Sequence, residues 1–524
     1  MANADSAGQT RTRPVGFPPG SERTGPADRK DSMLVDALLD AGRHRPRTLA
    51  VEDPTVRLTY RRLVRLAAVF RREILALSDC PRVGIMLPAS ALFPAVLFGT
   101  WWARRCAVPL NFLLAKEEIA RIVEDAGLEH ILTIRPFSEL VEGLPVSPVY
   151  LESLPLKRRL LAQTVRPLPP PPSVEPDETV VLLYTSGTTA EPKGVELTCR
   201  NLHSNVVDSI AALGLTAPQM LLNILPPFHV FGLTANVLVP VFLQASVAAV
   251  PRFHPVHVVR TLSQKPITIM MAIPSMYAAI LRTKSATRET FRSVRLAISG
   301  GEPLSESVRE GFRERFGVSL CEGYGLTETS PVVAVSSPED NRPGTVGRPI
   351  PHVEVQIRDE QGRPLPAGAE GEIFLRGPGV MKGYYRKPEQ TRAVLSGDGW
   401  LATGDIGRLD ADGFLFITGR AKEMLIIGGE NVFPREIESA LEAHEDVLQA
   451  AVIGVPDPSR GEAPVAFVLP RPGTHPEEMD LRGFARERLA GFKVPKRVIV
   501  REDLPRGPTG KILKRKLREL LDGA

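Results

Sequence analysis

Cysteine is scarce in this sequence, and its four cysteines show no pattern of pairing. Cys80, Cys106, Cys199 and Cys321 are far apart, and none belongs to a CxxC motif. A disulfide framework and a cysteine-based zinc site are therefore not expected, and reduced thiols predict a cytoplasmic protein. The first residues also lack an apolar stretch after a basic start, so we expect no signal peptide.

Long unbroken hydrophobic runs are lacking as well. Two stretches without charged residues, 83–103 and 209–251, are apolar, but the second is interrupted by Pro226, Pro227 and Pro240. Both stretches predict buried strands and helices of an α/β core rather than membrane spans. We therefore expect a protein that is not transmembrane.

Neither sign of charge dominates the composition. The 65 Lys and Arg residues against 60 Asp and Glu residues give a net charge of +5, which is small for 524 residues. Such an excess suits anionic small ligands as well as larger polyanions. Because the basic residues are spread out and no recognition motif is present, nucleic-acid binding is not expected.

The pattern of apolar residues changes along the chain. Residues 1–32 have no apolar period and predict a disordered tail. From residue 33 to about 300, segments with strand and helix periods alternate, which predicts parallel sheets covered by helices. Residues 166–178 are typical of a polyproline-like linker. After about residue 343 short strands with Gly and Asp turns predict an antiparallel or barrel-like unit, and a compact α+β region begins near residue 421.

The segment LLYTSGTTAEPKGVELT (182–198) predicts a phosphate-binding loop after a buried strand. Gly187 allows the backbone to approach an anion closely, and Lys193 adds a positive charge. Hydroxyl donors come from Thr185, Ser186, Thr188 and Thr189. Pro192 stands where a Walker loop needs glycine, so the loop is of another kind. Its composition alone also fits a Ser/Thr-rich surface loop, and both interpretations stay open at this point.

Six further segments give this loop a context. In chain order they are PPFHVFG (226–232), SGGEPL (299–304), EGYGLTET (322–329), DGWLATGD (398–405), GRAKEMLIIGGENVFPREIE (419–438) and PTGKILKRKL (508–517). With the loop, this ordered series resembles the signature motifs of acyl-adenylate-forming enzymes. That superfamily includes acyl-CoA synthetases, the adenylation domains of peptide synthetases and luciferase-like enzymes. The resemblance extends from about residue 33 to the end of the sequence, and its segments look most like the fatty acid–CoA ligase branch.

The resemblance implies an ATP site. Tyr324 would stack on the adenine, Asp405 would bind the ribose hydroxyls, and Glu328 would be a ligand of Mg²⁺. The nucleotide-binding residues implied in this way are Thr185, Ser186, Gly187, Thr188, Thr189, Lys193, Gly300, Gly301, Glu302, Tyr324, Asp405 and Arg420.

The resemblance also implies a set of catalytic and mobile residues. His229 would help to place the substrate carboxylate, although a core histidine bonded to the backbone is an open alternative. Thr327 would bind the α-phosphate, and Lys511 would bridge this phosphate and the acyl carboxylate. Lys422 would be the hinge of a rotating domain. The glycine loop Gly428, Gly429 and Glu430 would line the tunnel for pantetheine.

The expected fold is α/β. Residues 33–420 would form a large AMP-binding domain of stacked α/β sheets with a distorted β-barrel, and residues 421–524 a small mobile α+β lid. The expected enzyme uses ATP to convert a carboxylic acid into acyl-AMP and then into a thioester with coenzyme A, and a fatty acid is the expected substrate. The alternatives are an acyl-AMP ligase that loads a separate acyl carrier protein, an aryl-acid CoA ligase and a luciferase-like oxygenase. A nucleotide-binding pseudoenzyme would be expected to lack Lys511, Glu328 or Asp405, and all three are present.

Overall fold

A computed structural model of the chain describes residues 33–185, 192–507 and 512–522, so the predicted tail, residues 1–32, lies outside the described residues. In chain order the strands are β1 (Leu49–Glu52), β2 (Arg57–Thr59), β3 (Arg82–Met86), β4 (Cys106–Pro109), β5 (His130–Thr133), β6 (Ser147–Tyr150), β7 (Thr179–Thr185), β8 (Lys193–Thr198), β9 (Met220–Asn223), β10 (Ser246–Ala249), β11 (Ile269–Ala272), β12 (Leu296–Gly300), β13 (Leu320–Gly325), β14 (Val332–Val335), β15 (Arg348–Pro349), β16 (Glu354–Arg358), β17 (Gly371–Arg376), β18 (Gly383–Tyr384), β19 (Leu401–Leu409), β20 (Leu415–Arg420), β21 (Leu425–Ile427), β22 (Glu430–Val432), β23 (Val447–Asp457), β24 (Gly461–Pro470) and β25 (Arg497–Val500).

The helices alternate with these strands over most of the chain. They are α1 (Met33–His44), α2 (Tyr60–Leu75), α3 (Leu92–Trp102), α4 (Lys116–Ala126), α5 (Ser138–Val141), α6 (Leu156–Thr164), α7 (Cys199–Ala212), α8 (Val230–Leu233), α9 (Val239–Leu243), α10 (Pro255–Gln264), α11 (Pro274–Leu281), α12 (Glu306–Phe316), α13 (Pro388–Val394), α14 (Pro434–Glu442), α15 (Glu478–Arg486) and α16 (Lys514–Asp522).

Two large sheets form the first part of the fold. Their strand orders are β15-β14-β13-β12-β11-β9-β10-β1-β2 and β18-β8-β7-β4-β3-β5-β6. Neighbours within β13-β12-β11-β9-β10 pair in parallel, as do those within β7-β4-β3-β5-β6. The largest apolar core joins the two sheets, because it contains both Val181 of β7 and Leu221 of β9. The predicted α/β class is confirmed.

Parallel pairing brings the sequence motifs to one edge of a sheet. The segments PPFHVFG, SGGEPL and EGYGLTET lie at or just beyond the carboxyl ends of β9, β12 and β13. Since these strands run in the same direction, their carboxyl ends meet at the same edge, which is where open α/β sheets bind ligands.

Two smaller sheets follow. The first is antiparallel with the order β16-β17-β19-β20, which confirms the antiparallel unit expected after residue 343. The second has the order β22-β21-β24-β23, and β25 pairs in parallel with β24. This last sheet shares an apolar core with α14 and α15, to which Ile437 and Leu481 contribute. The region after residue 421 is therefore α+β, as expected.

The apolar stretches form buried elements. The first, 83–103, contains most of β3 and all of α3, and the second, 209–251, contains β9 and β10 with short helices around a π-helical turn at Thr234–Leu238. Within the three described ranges, no helix combines the length and apolar character that crossing a membrane requires. All four cysteines lie in these ranges as free thiols.

A close helix contact gives a test of the core. A Cβ added at Gly99 of α3 would lie 2.6 Å from Cβ of Phe70 and 2.9 Å from the carbonyl oxygen of Ala67, both on α2. Because overpacking a core costs about 1–3 kcal/mol, we expect Gly99→Ala to lower the thermal unfolding midpoint. Gly483 of α15 is the matched control, because an added Cβ there would meet no atom within 4 Å.

Gly483→Ala should leave the midpoint unchanged or raise it, since alanine favours a helix by about 0.5–1 kcal/mol over glycine. Differential scanning calorimetry of the two variants makes the comparison. Equal midpoints would contradict the close approach of α2 and α3.

Candidate active site

One cavity of about 1650 Å³ collects most of the predicted site residues that the structure describes. Much of its wall is apolar, formed by residues that include Phe112, Ile122, Ile134, Phe137, Ile210, Leu213, Leu215, Phe228, Val239, Met271 and Met276. Its polar lining includes Thr185, Lys193, His229, Tyr324, Thr327, Glu328, Arg420 and Lys422. A cavity with both kinds of wall can hold an apolar chain and a charged group together.

The predicted phosphate loop lies between two paired strands. Thr185 ends β7 and Lys193 begins β8, and these two residues are partners in the antiparallel register. Val180 to Leu183 are buried, which confirms the predicted strand before the loop. Thr185 and Lys193 both line the cavity. The remaining loop residues Ser186, Gly187, Thr188 and Thr189 lie outside the described residues.

A glycine pair forms a bare section of the cavity wall. Gly300 ends β12, and a Cβ added there would lie 3.2 Å from the carbonyl oxygen of Gly323 and 3.4 Å from the Phe231 ring. Gly301 has a φ of +82°, which favours glycine. Both line the cavity, whereas Glu302 is not among its lining residues. The backbone at these glycines can therefore lie against a flat ring, and the role of Glu302 stays a prediction.

Asp405 lies buried between two side chains that belong to different sheets. Its side chain accepts a hydrogen bond of 2.6 Å from the Tyr324 hydroxyl at one oxygen, and its other oxygen is 2.9 Å from Nε of Arg420. Asp405 is only 2% exposed, and Arg420 is its register partner on β20. Burial, together with the Asp405 charge, raises the pKa of Tyr324 well above its usual value. Tyr324 is therefore a protonated donor at neutral pH.

A short 3₁₀ turn, Thr327–Thr329, presents Thr327 and Glu328 to the cavity. Oε1 of Glu328 accepts a hydrogen bond of 2.9 Å from the Tyr384 hydroxyl. Over the residues described, no group of three or more His, Cys, Asp or Glu side chains could hold a metal ion by itself. A single carboxylate does fit Mg²⁺ that is also bound by substrate phosphates.

His229 lies at the apolar side of the cavity. It is half-buried, directly precedes α8 and lines the cavity. The Phe228 ring lies 4.8 Å from its ring and 5.0 Å from that of Phe112. The imidazole is therefore held beside an aromatic wall.

The predicted mobile residues occupy two different places. Lys422, in the 3₁₀ turn Ala421–Glu423, lines the cavity. Gly428 and Gly429 form the turn between β21 and β22 with φ of +62° and +89°, and with Glu430 they are exposed and outside the cavity lining. Lys511 lies outside the described residues, although Arg506 and Gly507, which precede it, line the cavity.

A charge network that includes Glu442, a residue of the cavity lining, was missed in the sequence. Arg435 of α14 is 2.9 Å from Glu442 and 4.0 Å from Glu438. Burial raises the pKa of Glu322 on β13 above its usual value, although the nearby cations Arg309 and Arg435 oppose this shift. Arg435 therefore belongs to the last sheet's unit and acts electrostatically on a carboxylate of the nine-stranded sheet. Its position at the start of a helix gave no signal of burial in the sequence.

The arrangement is that of an α/β enzyme with a nucleotide site at the edge of its parallel strands. Comparison with known proteins agrees. The family described as AMP-binding enzyme matches residues 38–385, and the AMP-binding enzyme C-terminal domain matches residues 436–511. The chain therefore belongs to the AMP-binding enzyme family, and it is an adenylate-forming enzyme that binds ATP.

Individual relatives cover nearly all of the chain. A long-chain-fatty-acid–CoA ligase of Yersinia pestis is 35% identical, over 88% of this chain and 90% of its own length. A fatty acid–[acyl-carrier-protein] ligase, ScoC, of Streptomyces coeruleorubidus is 34% identical, over 93% and 96%. The crystal structure of the anthranilate CoA ligase AuaEII in complex with anthranoyl-AMP superposes with a TM-score of 0.87 at 29% identity, covering 94% of this chain and 98% of that one.

The charge network predicts a large effect of one arginine. Arg435→Met removes a cation that lies 2.9 Å from the buried Glu442 and 4.0 Å from Glu438, which is also 3.0 Å from Lys514. We expect a loss of about 3–5 kcal/mol of stability, because breaking a buried ion pair leaves the Glu442 charge unpaired. Arg486→Met is the control, since Arg486 is an exposed arginine on α15. Thermal unfolding should show a clearly lower midpoint for the first variant alone. Equal midpoints for both variants would mean that Arg435 does not compensate these carboxylates.

Proposed function

We propose that this protein is an AMP-forming acid–thiol ligase that activates a fatty acid with ATP and transfers the acyl group to coenzyme A. The observation that carries this proposal is the single cavity in which an apolar wall continues into the nucleotide motifs. Such a cavity can hold the apolar chain of an acid while its carboxylate meets the α-phosphate of ATP.

Nucleotide binding is assigned to the residues around the polar end. The Tyr324 ring and the bare backbone of Gly300 and Gly301 would hold the adenine. Asp405 would accept hydrogen bonds from the ribose hydroxyls through its remaining lone pairs, with Arg420 beside it. The phosphates would bind to Thr185 and Lys193, together with Ser186, Gly187, Thr188 and Thr189 from outside the described residues.

In the first half-reaction a carboxylate oxygen of the acid attacks the α-phosphorus of ATP. A new P–O bond forms, and pyrophosphate leaves with the electron pair of the bond that breaks. His229 would place the carboxylate, while Thr327 and Lys511 would stabilise the negative charge at phosphorus. Glu328 would hold Mg²⁺, which when bound neutralises phosphate charge.

In the second half-reaction the sulfur of coenzyme A attacks the acyl carbonyl carbon, the thiol proton is lost and AMP leaves. We assign residues 33–420 to the AMP-binding domain and 421–524 to a lid that turns about Lys422 between the steps. The turn of Gly428, Gly429 and Glu430 would then line the path of pantetheine. Its exposed position outside the cavity lining supports a step in which it has to move.

The acid and the acceptor are supported to different degrees. The apolar cavity wall and the Yersinia pestis relative support a long-chain fatty acid. The acyl carrier protein is the second candidate acceptor, because a carrier-protein ligase is 34% identical over 93% of this chain.

A panel of acids tests the reaction and both acceptors. We expect pyrophosphate release with a long-chain fatty acid such as palmitate, faster when coenzyme A is present, and a thioester detectable by mass spectrometry. Acetate, benzoate and a coumarate are the comparison acids. Release of one equivalent followed by a stall with bound acyl-AMP would point to a carrier protein. No release with any acid would overturn the ligase assignment.

Asp405 provides a test of the nucleotide site. In Asp405→Asn the charge that pairs with Arg420 is lost, so we expect the KM for ATP to rise about 10- to 100-fold, as for loss of hydrogen bonds to a charged group. Asp412→Asn, in the exposed turn between β19 and β20, is the matched control and should behave as wild type. Steady-state pyrophosphate release measures both, and an unchanged KM in Asp405→Asn would remove the residue from the site.

A further inference from the structure

Tyr384 occupies a point where three parts of the cavity wall meet, although no motif of the sequence assigned it a role. Its hydroxyl donates a hydrogen bond of 2.9 Å to Oε1 of Glu328. The Nζ atom of Lys193 lies 5.2 Å from the centre of its ring. Tyr384 lines the cavity itself. One side chain therefore contacts the only carboxylate proposed to bind the metal and the lysine proposed to bind phosphate.

Main-chain hydrogen bonds also join the segment around Tyr384 to the segments that carry Glu328 and Lys193. Strand β18 pairs antiparallel with β8, with Tyr384 opposite Val195. The N–H of Met381 donates to the carbonyl oxygen of Glu328 at 2.8 Å, and the N–H of Tyr385 donates to that of Gly194 at 2.8 Å. The position of Tyr384 relative to Glu328 and Lys193 is thus set by main-chain bonds on both sides.

The chemistry of the two contacts is complementary. A phenol that donates to one carboxylate oxygen fixes the rotation of the carboxyl group and leaves its other oxygen for a cation. The face of the ring attracts the ammonium group of Lys193. The phenol can thus bind both groups at once, the carboxylate through its hydroxyl and the ammonium group through its ring face.

We propose that Tyr384 is a positioning residue that orients Glu328 and Lys193 for the metal and the phosphates of ATP. The inference rests on the proposed function. It predicts a role in metal-dependent nucleotide binding and none in recognition of the acid.

Tyr384→Phe in the full chain tests this role, because it removes only the hydroxyl and keeps the ring over Lys193. We expect the Mg²⁺ concentration that gives half-maximal pyrophosphate release to rise about 3- to 10-fold, as for loss of one hydrogen bond to a charged group. The KM for the acid and the thermal midpoint without ligands should stay at the wild-type values. The stabilisation by ATP in a thermal shift assay should need correspondingly more Mg²⁺, and this readout does not depend on turnover.

Tyr385→Phe is the matched control. Its ring lies against Arg82 and Arg386, at 5.3 and 4.9 Å, and Tyr385 is not among the residues that line the cavity. This variant should keep the wild-type Mg²⁺ dependence. If Tyr384→Phe also keeps it in both assays, or if only its unliganded midpoint falls, the positioning role is wrong.

The two proposals fail in different ways. Wild-type protein that is stabilised by ATP with Mg²⁺ but releases pyrophosphate with no acid would overturn the ligase, while the thermal shift of Tyr384→Phe would still decide the present inference. If the wild-type protein turns over an acid and Tyr384→Phe shows the same Mg²⁺ dependence, the inference is overturned and the ligase assignment stands.

Discussion

The buried carboxylate of Asp405 is the interaction on which the geometry of the site depends. It lies on β19 of the antiparallel sheet, yet it binds Tyr324 of the nine-stranded sheet and Arg420, the last residue before the turn that contains Lys422. Burying a carboxylate that is only 2% exposed costs free energy unless it is paired and hydrogen-bonded. Tyr324 and Arg420 therefore have to stay in contact with Asp405. The aromatic ring, the carboxylate and the Arg420 guanidinium therefore keep one relative position. Three of the motif segments are joined at one place for this reason.

Much of this arrangement could be predicted because each motif is short and adjacent to a strand. The alternation of apolar periods indicates parallel strands, and parallel strands bring their carboxyl ends together. Gly300 ends β12 and Tyr324 lies near the end of β13, and both line the cavity, where the resemblance of their motifs implied a nucleotide site. The sheet order could not be predicted in the same way. β9 lies between β10 and β11, and such pairing depends on long-range packing that periodicity does not encode.

The residues that were missed depend on tertiary contacts. Tyr384 belongs to a two-residue strand, and Glu328, its partner, is 56 positions away. A tyrosine in a polar segment has no local feature that distinguishes it from a surface residue. Arg435 is similar, because an arginine in the first turn of an amphipathic helix is usually solvated, whereas here α14 packs against α12 and the arginine is half-buried. Glu302 and Asp405 are both absent from the residues that line the cavity, so their roles in nucleotide binding stay predictions.

The positions of the residues assigned to the proposed lid also bear on the order of the two half-reactions. Arg506 and Gly507 line the cavity, whereas Gly428 and Gly429 are exposed away from its lining. Both segments belong to the unit formed by the last sheet and its helices, which has apolar clusters of its own. A rotation that brings the glycine turn inward therefore also moves Arg506 and Gly507. Under the proposed function, one orientation would serve the charge that builds on phosphorus, and another the approach of a thiol. Because the unit cannot take both orientations at once, the two half-reactions can share one cavity only if they take place one after the other. Lys422, exposed and at the junction, is placed where a small change in backbone angles would move the whole unit.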